Sequence, residues 1–137
     1  MLKRLLIIAA GAAALTACES GPAAPDDRGV CYSVTVRKDK TVKFNELAKG
    51  QNSLEDCIAR LEEMRVRFLR MGGSRRAVTG AYQGKFIFVD PAGVATADSL
   101  NGARFFAFTR APDGTLALPN IVNRDLPATG PEGAEQN

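Results

Sequence analysis

The fold is decided by residues 53–73, which read SLEDCIARLEEMRVRFLRMGG. Ser53 suits the N-cap of a helix, with Asp56 three residues later as a variant of the capping box, and Gly72-Gly73 ends the helix. Between them, apolar side chains recur at spacings of three and four residues, which is typical of an amphipathic helix. They are Leu54, Cys57, Ile58, Leu61, Met64, Phe68 and Met71. A helix with one apolar face needs another layer to cover it.

Alternating residues before the helix predict strands. In residues 30–36, three valines and a tyrosine alternate with smaller or polar side chains, and a second short strand is predicted at 41–44. Cys31 falls on the face of Ser33 and Thr35, not on that of the valines. Either the helix lies on the Cys31 face, or a β-bulge near the start of the strand resets the register.

The second half of the chain is rich in strand and turn signals. Four strands are predicted, at 85–90, 94–100, 104–110 and 115–118. The turn signals between them are Asp90-Pro91-Ala92-Gly93, Asn101-Gly102 and Ala111-Pro112-Asp113-Gly114. The first and third fit type I turns, and the second favours a two-residue type I′ hairpin. Continuous apolar runs at 86–89 and 105–108 indicate central strands buried on both faces, or one face that meets a partner.

These elements together predict an α+β fold. Its antiparallel β-sheet combines the N-terminal strand with the C-terminal four-strand meander, and one long amphipathic helix packs on it. The folded domain is predicted at 30–122. Small, acidic, Pro and Gly residues dominate its flanks, which predicts a flexible tether at 18–29 and a disordered tail at 123–137.

The first residues have the pattern of an export signal. Two cations, Lys3 and Arg4, precede an apolar run at 5–15, which is too short to span a membrane as a helix. The run leads into Leu15-Thr16-Ala17-Cys18. This stretch resembles the signal peptide and lipobox of bacterial lipoproteins.

That resemblance has several implications. It implies that residues 1–17 are a cleaved signal peptide and that Cys18 carries a covalent lipid as the first residue of the mature protein. Glu19 follows it where an Asp would be the usual inner-membrane retention signal, which implies an outer-membrane location facing the periplasm. The folded part also looks like small uncharacterised proteins of Gram-negative envelopes, on the stretches 54–65, 79–84 and 86–89. No activity is attached to that likeness.

The chain has three cysteines. With Cys18 lipidated, Cys31 and Cys57 remain, and two cysteines in an exported domain favour one disulfide bond. Closing a loop of this length would stabilise the domain by about 3.5 kcal/mol. The alternative is two buried free thiols. The absence of a CxxC pair disfavours a thioredoxin-like role.

The charge pattern suggests a surface for anionic partners. Residues 30–122 hold fourteen Lys and Arg against nine Asp and Glu, a net charge of +5. One cluster comprises Arg37, Lys38, Lys40 and Lys43, and the other comprises Arg65, Arg67, Arg70, Arg75 and Arg76. The clusters could bind anionic lipid headgroups, lipopolysaccharide phosphates or wall polymers. A solvated helix face and hairpin turn are the alternative reading. A nucleic-acid partner is not expected in the envelope.

Histidine is absent from the chain, which excludes Ser-His-Asp and Cys-His catalysis and His-ligated metals. We therefore expect no metal and no cofactor other than the lipid, and no enzymatic activity. The predicted function is a non-enzymatic, membrane-anchored envelope lipoprotein that presents its domain to a protein or an envelope polymer.

Two alternatives use specific side chains. In a small-ligand module for a sugar or peptide, Tyr82 and Gln83 of the 79–84 segment would bind the ligand. In a hydrolase without histidine, Lys85 would act as the base for Ser99, near Asp98.

Overall fold

The computed structural model describes residues 21–119, and within this range the chain is an α+β domain of one helix and seven strands. The elements are β1 (Cys31–Val36), β2 (Val42–Ala48), α1 (Leu54–Arg70), β3 (Val78–Tyr82), β4 (Lys85–Asp90), β5 (Gly93–Ala97), β6 (Phe105–Arg110) and β7 (Leu116–Ala117). The predicted signal peptide, Cys18 and the predicted tail lie outside the described residues.

The helix begins and ends where its sequence predicts. The backbone N–H of Asp56 donates to the Ser53 hydroxyl at 3.1 Å, which satisfies one free donor of the first turn. At the other end Gly72 has a φ of +81°, and the N–H of Gly73 donates to the Phe68 carbonyl at 2.9 Å. These bonds form a Schellman cap, so both predicted helix ends are confirmed.

The strands form a single antiparallel sheet in the order β2-β1-β3-β4-β5-β6-β7. Strand β3 was not predicted, and it joins the N-terminal hairpin to the meander, which therefore has five strands. It is followed by a two-residue turn in which Gln83 and Gly84 have φ values of 42° and 78°. Positive φ at both positions is the type I′ geometry that matches the strand twist.

Gly80 explains how the helix can approach this sheet so closely. A Cβ built at Gly80 would lie 2.7 Å from Leu61 Cδ2 and 2.9 Å from the Tyr32 carbonyl oxygen. The Leu61 side chain, which is fully buried, occupies the space that any other residue at this position would fill. The glycine that weakens the strand signal in the sequence is therefore what allows helix and sheet to pack.

Each face of the sheet carries its own core. On the helix face the buried residues are Cys31, Cys57, Ile58, Leu61, Tyr82, Ile87, Val89 and Val94. On the opposite face they are Ala24, Val34, Ala81, Phe86, Phe88 and Ala97. The helix thus lies on the Cys31 face, which resolves the alternatives left by the sequence. A bulge also occurs between Cys31 and Tyr32, where Leu47 is the extra residue of β2.

Cys31 and Cys57 lie at disulfide-bonding distance, with their Cα atoms 5.3 Å apart. Both residues have no exposed surface. The pair links β1 to α1 across the helix-face core, as the sequence predicts.

One expectation for the second half was wrong. The Asn101-Gly102 pair does not form a two-residue hairpin, because Thr96 pairs with Phe105 and the residues after β5 form a longer loop. Within it, the N–H of Gly102 donates to the Ser99 carbonyl at 3.3 Å, which places the pair at the third and fourth positions of a turn. The 86–89 run is buried on both faces, which is the first of the two alternatives. Phe105 and Phe106 are exposed, so the 105–108 run does not follow that alternative, and a partner on its exposed face stays a prediction.

The segment before β1 differs from the predicted flexible tether. Ala24 is buried in the second core, and the N–H of Gly84 donates to the Pro25 carbonyl at 2.9 Å. The Tyr32 hydroxyl donates to the Asp27 carboxylate at 2.7 Å. Residues 21–29 therefore cross the face of the sheet opposite the helix, and we call them the N-terminal strap.

Candidate functional site

The structure separates the five arginines of the predicted second cluster. Arg65 is only 8 % exposed and points into the domain, where it binds Glu62. This corrects its assignment to a binding surface, because a buried and paired guanidinium cannot meet an external partner. Arg67 is exposed and pairs with Glu63 at 2.9 Å. Among residues 21–119, no carboxylate pairs with the exposed Arg70, Arg75 and Arg76.

Glu62 is the centre of a buried ion network that links the helix to the far strands. Its carboxylate accepts two hydrogen bonds from Arg65, both at 2.8 Å, and two from Arg110, at 2.8 Å from Nη1 and 3.3 Å from Nη2. Arg110 also donates to the carbonyls of Asp90 and Gly114, at 3.0 and 2.9 Å. The hydrogen bonds from Arg65, followed by those from Arg110, lower the Glu62 pKa from 4.5 to about 2. The network holds β6 and its following turn against α1.

No sequence signal identifies this network in advance. Glu62 and Arg110 are 48 residues apart, and neither spacing nor composition pairs them. Position 65 also lies on the apolar side of the helix, four residues after Leu61, where an arginine looks like a break in the pattern. The Arg65 side chain can be buried there because its methylene groups are apolar and its guanidinium donates two hydrogen bonds to Glu62.

One end of the sheet, which we call the basic end, is formed by the β1–β2 turn and the loop from α1 to β3. Strand β1 ends there and β3 begins there, because Val34 pairs with Thr79 in antiparallel register. The exposed cations of this end are Arg37, Lys38, Lys40, Arg70, Arg75 and Arg76. Exposed apolar side chains lie among them, namely Val36, Phe68, Leu69 and Met71. The two predicted basic clusters thus contribute to a single surface.

The carboxylates at this end of the sheet accept hydrogen bonds within turns. Asp39, in the β1–β2 turn, accepts from the N–H and the hydroxyl of Thr41, at 3.0 and 2.6 Å. These bonds lower its pKa. At the same end of the sheet, Asp90 accepts hydrogen bonds from two backbone N–H groups of its turn, and Asp113 accepts from the N–H and the hydroxyl of Thr115. These carboxylates stay ionised, and the six exposed cations of the basic end outnumber Asp39, the one carboxylate of its β1–β2 turn.

An apolar groove of about 400 Å³ opens at the basic end, between the C-terminal half of α1 and the ends of β1 and β3. Met64 and Phe68 line its helix side, Val36 lines its sheet side, and Arg75 contributes a charge. The predicted apolar face of the helix is therefore covered as far as Met64, and it is exposed at Phe68 and Met71.

Tyr82 and Gln83 form no open ligand site. Tyr82 is 5 % exposed, and its hydroxyl donates to the Gln51 carbonyl at 2.9 Å. The side-chain oxygen of Gln83 accepts from the N–H of Gly29 at 3.2 Å. A shallow hollow of about 280 Å³ lies beside them. Both residues direct their polar groups to the protein's own backbone, and Gln83 secures the N-terminal strap.

The Lys85 and Ser99 side chains are not assembled for catalysis. Lys85 pairs with Asp98, and both side chains are largely exposed. Within the described range, no hydrogen bond connects Ser99 to Lys85. Residues 21–119 also contain no group of three or more Cys, Asp or Glu side chains placed to hold a metal ion.

No protein-family model, curated protein or solved structure matches this chain. The part of the chain that the structure describes contains no helix that is both long and apolar enough to cross a membrane.

Proposed function

We propose that this protein is a non-enzymatic lipoprotein of the bacterial cell envelope, attached through Cys18 and presenting its α+β domain to an envelope protein or polymer. The observation that carries the proposal is the order of segments at the start of the chain, in which Lys3 and Arg4, an apolar run and Leu15-Thr16-Ala17-Cys18 follow one another. Two or three acyl chains on Cys18 would give stable anchoring, which a single chain does not.

The pairing of the other two cysteines supports this proposal. Cys31 and Cys57 are buried together at bonding distance, and disulfides persist in oxidising compartments such as the periplasm. Cys18 is then the one cysteine of the chain outside this pair. A domain exported and anchored in this way needs no catalytic group, and its function is to bring a surface to a partner.

Membrane fractionation and intact mass test the anchor. The wild-type protein should fractionate with membranes and carry the mass of a diacylglyceryl group and an additional acyl chain on Cys18. Cys18→Ser should lose both properties, whereas Thr16→Ser, which leaves the cysteine in place, should keep them. A Cys18→Ser protein that still fractionates with membranes would contradict the proposal.

The location and the partner need separate experiments. Glu19→Asp should move the protein from the outer to the inner membrane in a density gradient, since Asp at this position is the usual retention signal. Crosslinking in cells, with Cys18→Ser as control, should capture one abundant anchor-dependent protein or a wall polymer. Recovery of neither would contradict the presenting role.

A further inference from the structure

The N-terminal strap determines where the chain leaves the folded domain. Pro25 is held at the β3–β4 turn by the hydrogen bond from Gly84. Ala24 belongs to the buried cluster on the face opposite the helix, together with Val34 and Phe88 among others. Gly21 lines a hollow with Val36, Lys40 and Val42, where β1 ends and β2 begins, and residues 99–102 and Arg104 of the loop before β6 line the same hollow. The strap therefore starts beside the β1–β2 turn of the basic end, on the face of the sheet opposite the helix.

The distance from this point to the proposed anchor is short. Only Glu19 and Ser20 lie between Cys18 and Gly21, and the three residue steps from Cys18 to Gly21 span at most about 11 Å of extended chain. This is close to the distance over which charges interact in physiological salt, about 8 Å. A lipid on Cys18 would hold the β1–β2 turn of the basic end near the membrane.

The chemistry of the basic end fits a membrane surface. Its cations from the β1–β2 turn and from the 70–76 segment would meet anionic headgroups, which attract Lys and Arg near the surface. Phe68 and Met71 project among these cations, and amphipathic surfaces of this kind insert apolar side chains at the boundary between headgroups and acyl chains. Arg67 contributes less, because Glu63 neutralises it.

We propose that the basic end is the membrane-binding surface of the protein, where its Lys and Arg side chains bind anionic lipid headgroups while Phe68 and Met71 enter the interfacial layer. The inference rests on the proposed lipid at Cys18. It assigns the anchored domain a fixed orientation. The opposite end of the sheet, where β6 begins at Phe105, is then directed away from the membrane and available to a partner.

Tryptophan fluorescence can test this orientation, because the chain contains no tryptophan. Met71→Trp and Phe105→Trp are matched reporters, since these side chains are 69 % and 67 % exposed and lie at opposite ends of the sheet. The lipidated full chain is reconstituted in vesicles of phosphatidylglycerol and phosphatidylethanolamine with brominated acyl chains, which quench tryptophan on contact. We expect quenching and a blue shift for Met71→Trp and neither for Phe105→Trp.

A charge variant separates binding by the surface from proximity to the anchor. Each Lys or Arg near an anionic leaflet strengthens binding about five-fold, so Arg70→Gln, Arg75→Gln and Arg76→Gln together should weaken the docked state by about 100-fold. The triple variant, tested in the Met71→Trp chain, should lose its quenching and remain attached to the vesicles. The Met71→Trp chain should show the same loss of quenching in vesicles made only of phosphatidylcholine with the same brominated acyl chains.

Each contrary outcome has its own meaning. Intact mass without lipid on Cys18 would contradict the proposed function and this inference together. A lipidated chain whose two reporters are quenched equally, or not at all, would overturn the inference alone. So would a Met71→Trp emission that shifts with protein concentration without vesicles, since the surface would then bind a second copy of the chain.

Discussion

Replacing Glu62 by glutamine should destabilise the domain by about 3 kcal/mol at neutral pH. The change keeps the shape of the side chain and removes its charge, so that Arg65 and Arg110 remain buried without a counter-ion. Removing one partner of a buried ion pair costs about 3–5 kcal/mol. The Glu62 pKa, lowered from 4.5 to about 2, independently corresponds to about 3 kcal/mol. The lower value is appropriate, because Glu62 is 20 % exposed.

The same carboxylate gives the stability a defined pH dependence. Folding lowers the pKa of Glu62, so its stabilisation is complete above its unfolded value of 4.5 and is lost as the pH falls towards about 2. Urea denaturation of the protein with its disulfide intact should therefore show a loss of about 2 kcal/mol from this group between pH 7 and pH 3. Glu62→Gln should lack this part of the pH dependence.

The neighbouring Glu63→Gln is the matched control. Glu63 also binds two arginines, Arg60 and Arg67, but its side chain is 54 % exposed. Exposed ion pairs contribute between about 0 and 1 kcal/mol, so this variant should be nearly as stable as the wild type. Equal losses for the two glutamine variants, or an unchanged pH dependence in Glu62→Gln, would refute the assignment of Glu62 as the centre of a buried network.

Three further changes probe the packing. Replacing Cys31 and Cys57 together by alanine should lower the free energy of unfolding by about 3.5 kcal/mol in urea, and a reductant should then have no additional effect on the variant. Gly80→Ala should cost about 1–3 kcal/mol, because the added methyl group meets the helix, and a wild-type melting temperature would contradict the close approach of helix and sheet. Phe86→Ala should cost about 3–5 kcal/mol, whereas Phe106→Ala should change the stability by less than about 0.5 kcal/mol, and equal effects would disprove their assignment to core and surface.

The periodic parts of the chain were predictable from the sequence. The helix from Ser53 to its glycine cap follows from the spacing of its apolar residues and from its capping residues. The hairpin at Asp90 follows from the turn motif Asp90-Pro91-Ala92-Gly93. The Asp90 carboxylate indeed accepts from the N–H groups of Ala92 and Gly93. Such features depend on neighbours in the sequence, which a sequence shows directly.

The features that were missed depend on long-range contacts. Strand β3 contains Gly80, and glycine weakens a strand signal in the sequence. Only the packing of Leu61 against this position shows why a glycine is needed there. Arg65 and Arg75 look alike in the sequence, but only Arg65 lies three residues after Glu62 on the helix, beside the carboxylate that Arg110 also binds. The flank at 21–29 has the composition of a tether, yet Ala24 is buried against the face of the sheet opposite the helix, which composition does not reveal.

The difference between a tether and a strap alters the energetics of any membrane contact. A flexible tether of the predicted length, residues 18–29, has an end-to-end distance of roughly 20 Å, and every face of the domain could then reach the bilayer. A strap that starts at the basic end holds one face beside the bilayer at high effective concentration. Contacts too weak to recruit a free domain can then orient an anchored one, because the lipid already supplies the association. The modest number of cations at the basic end is consistent with this role, since the surface must select an orientation and need not provide the attachment.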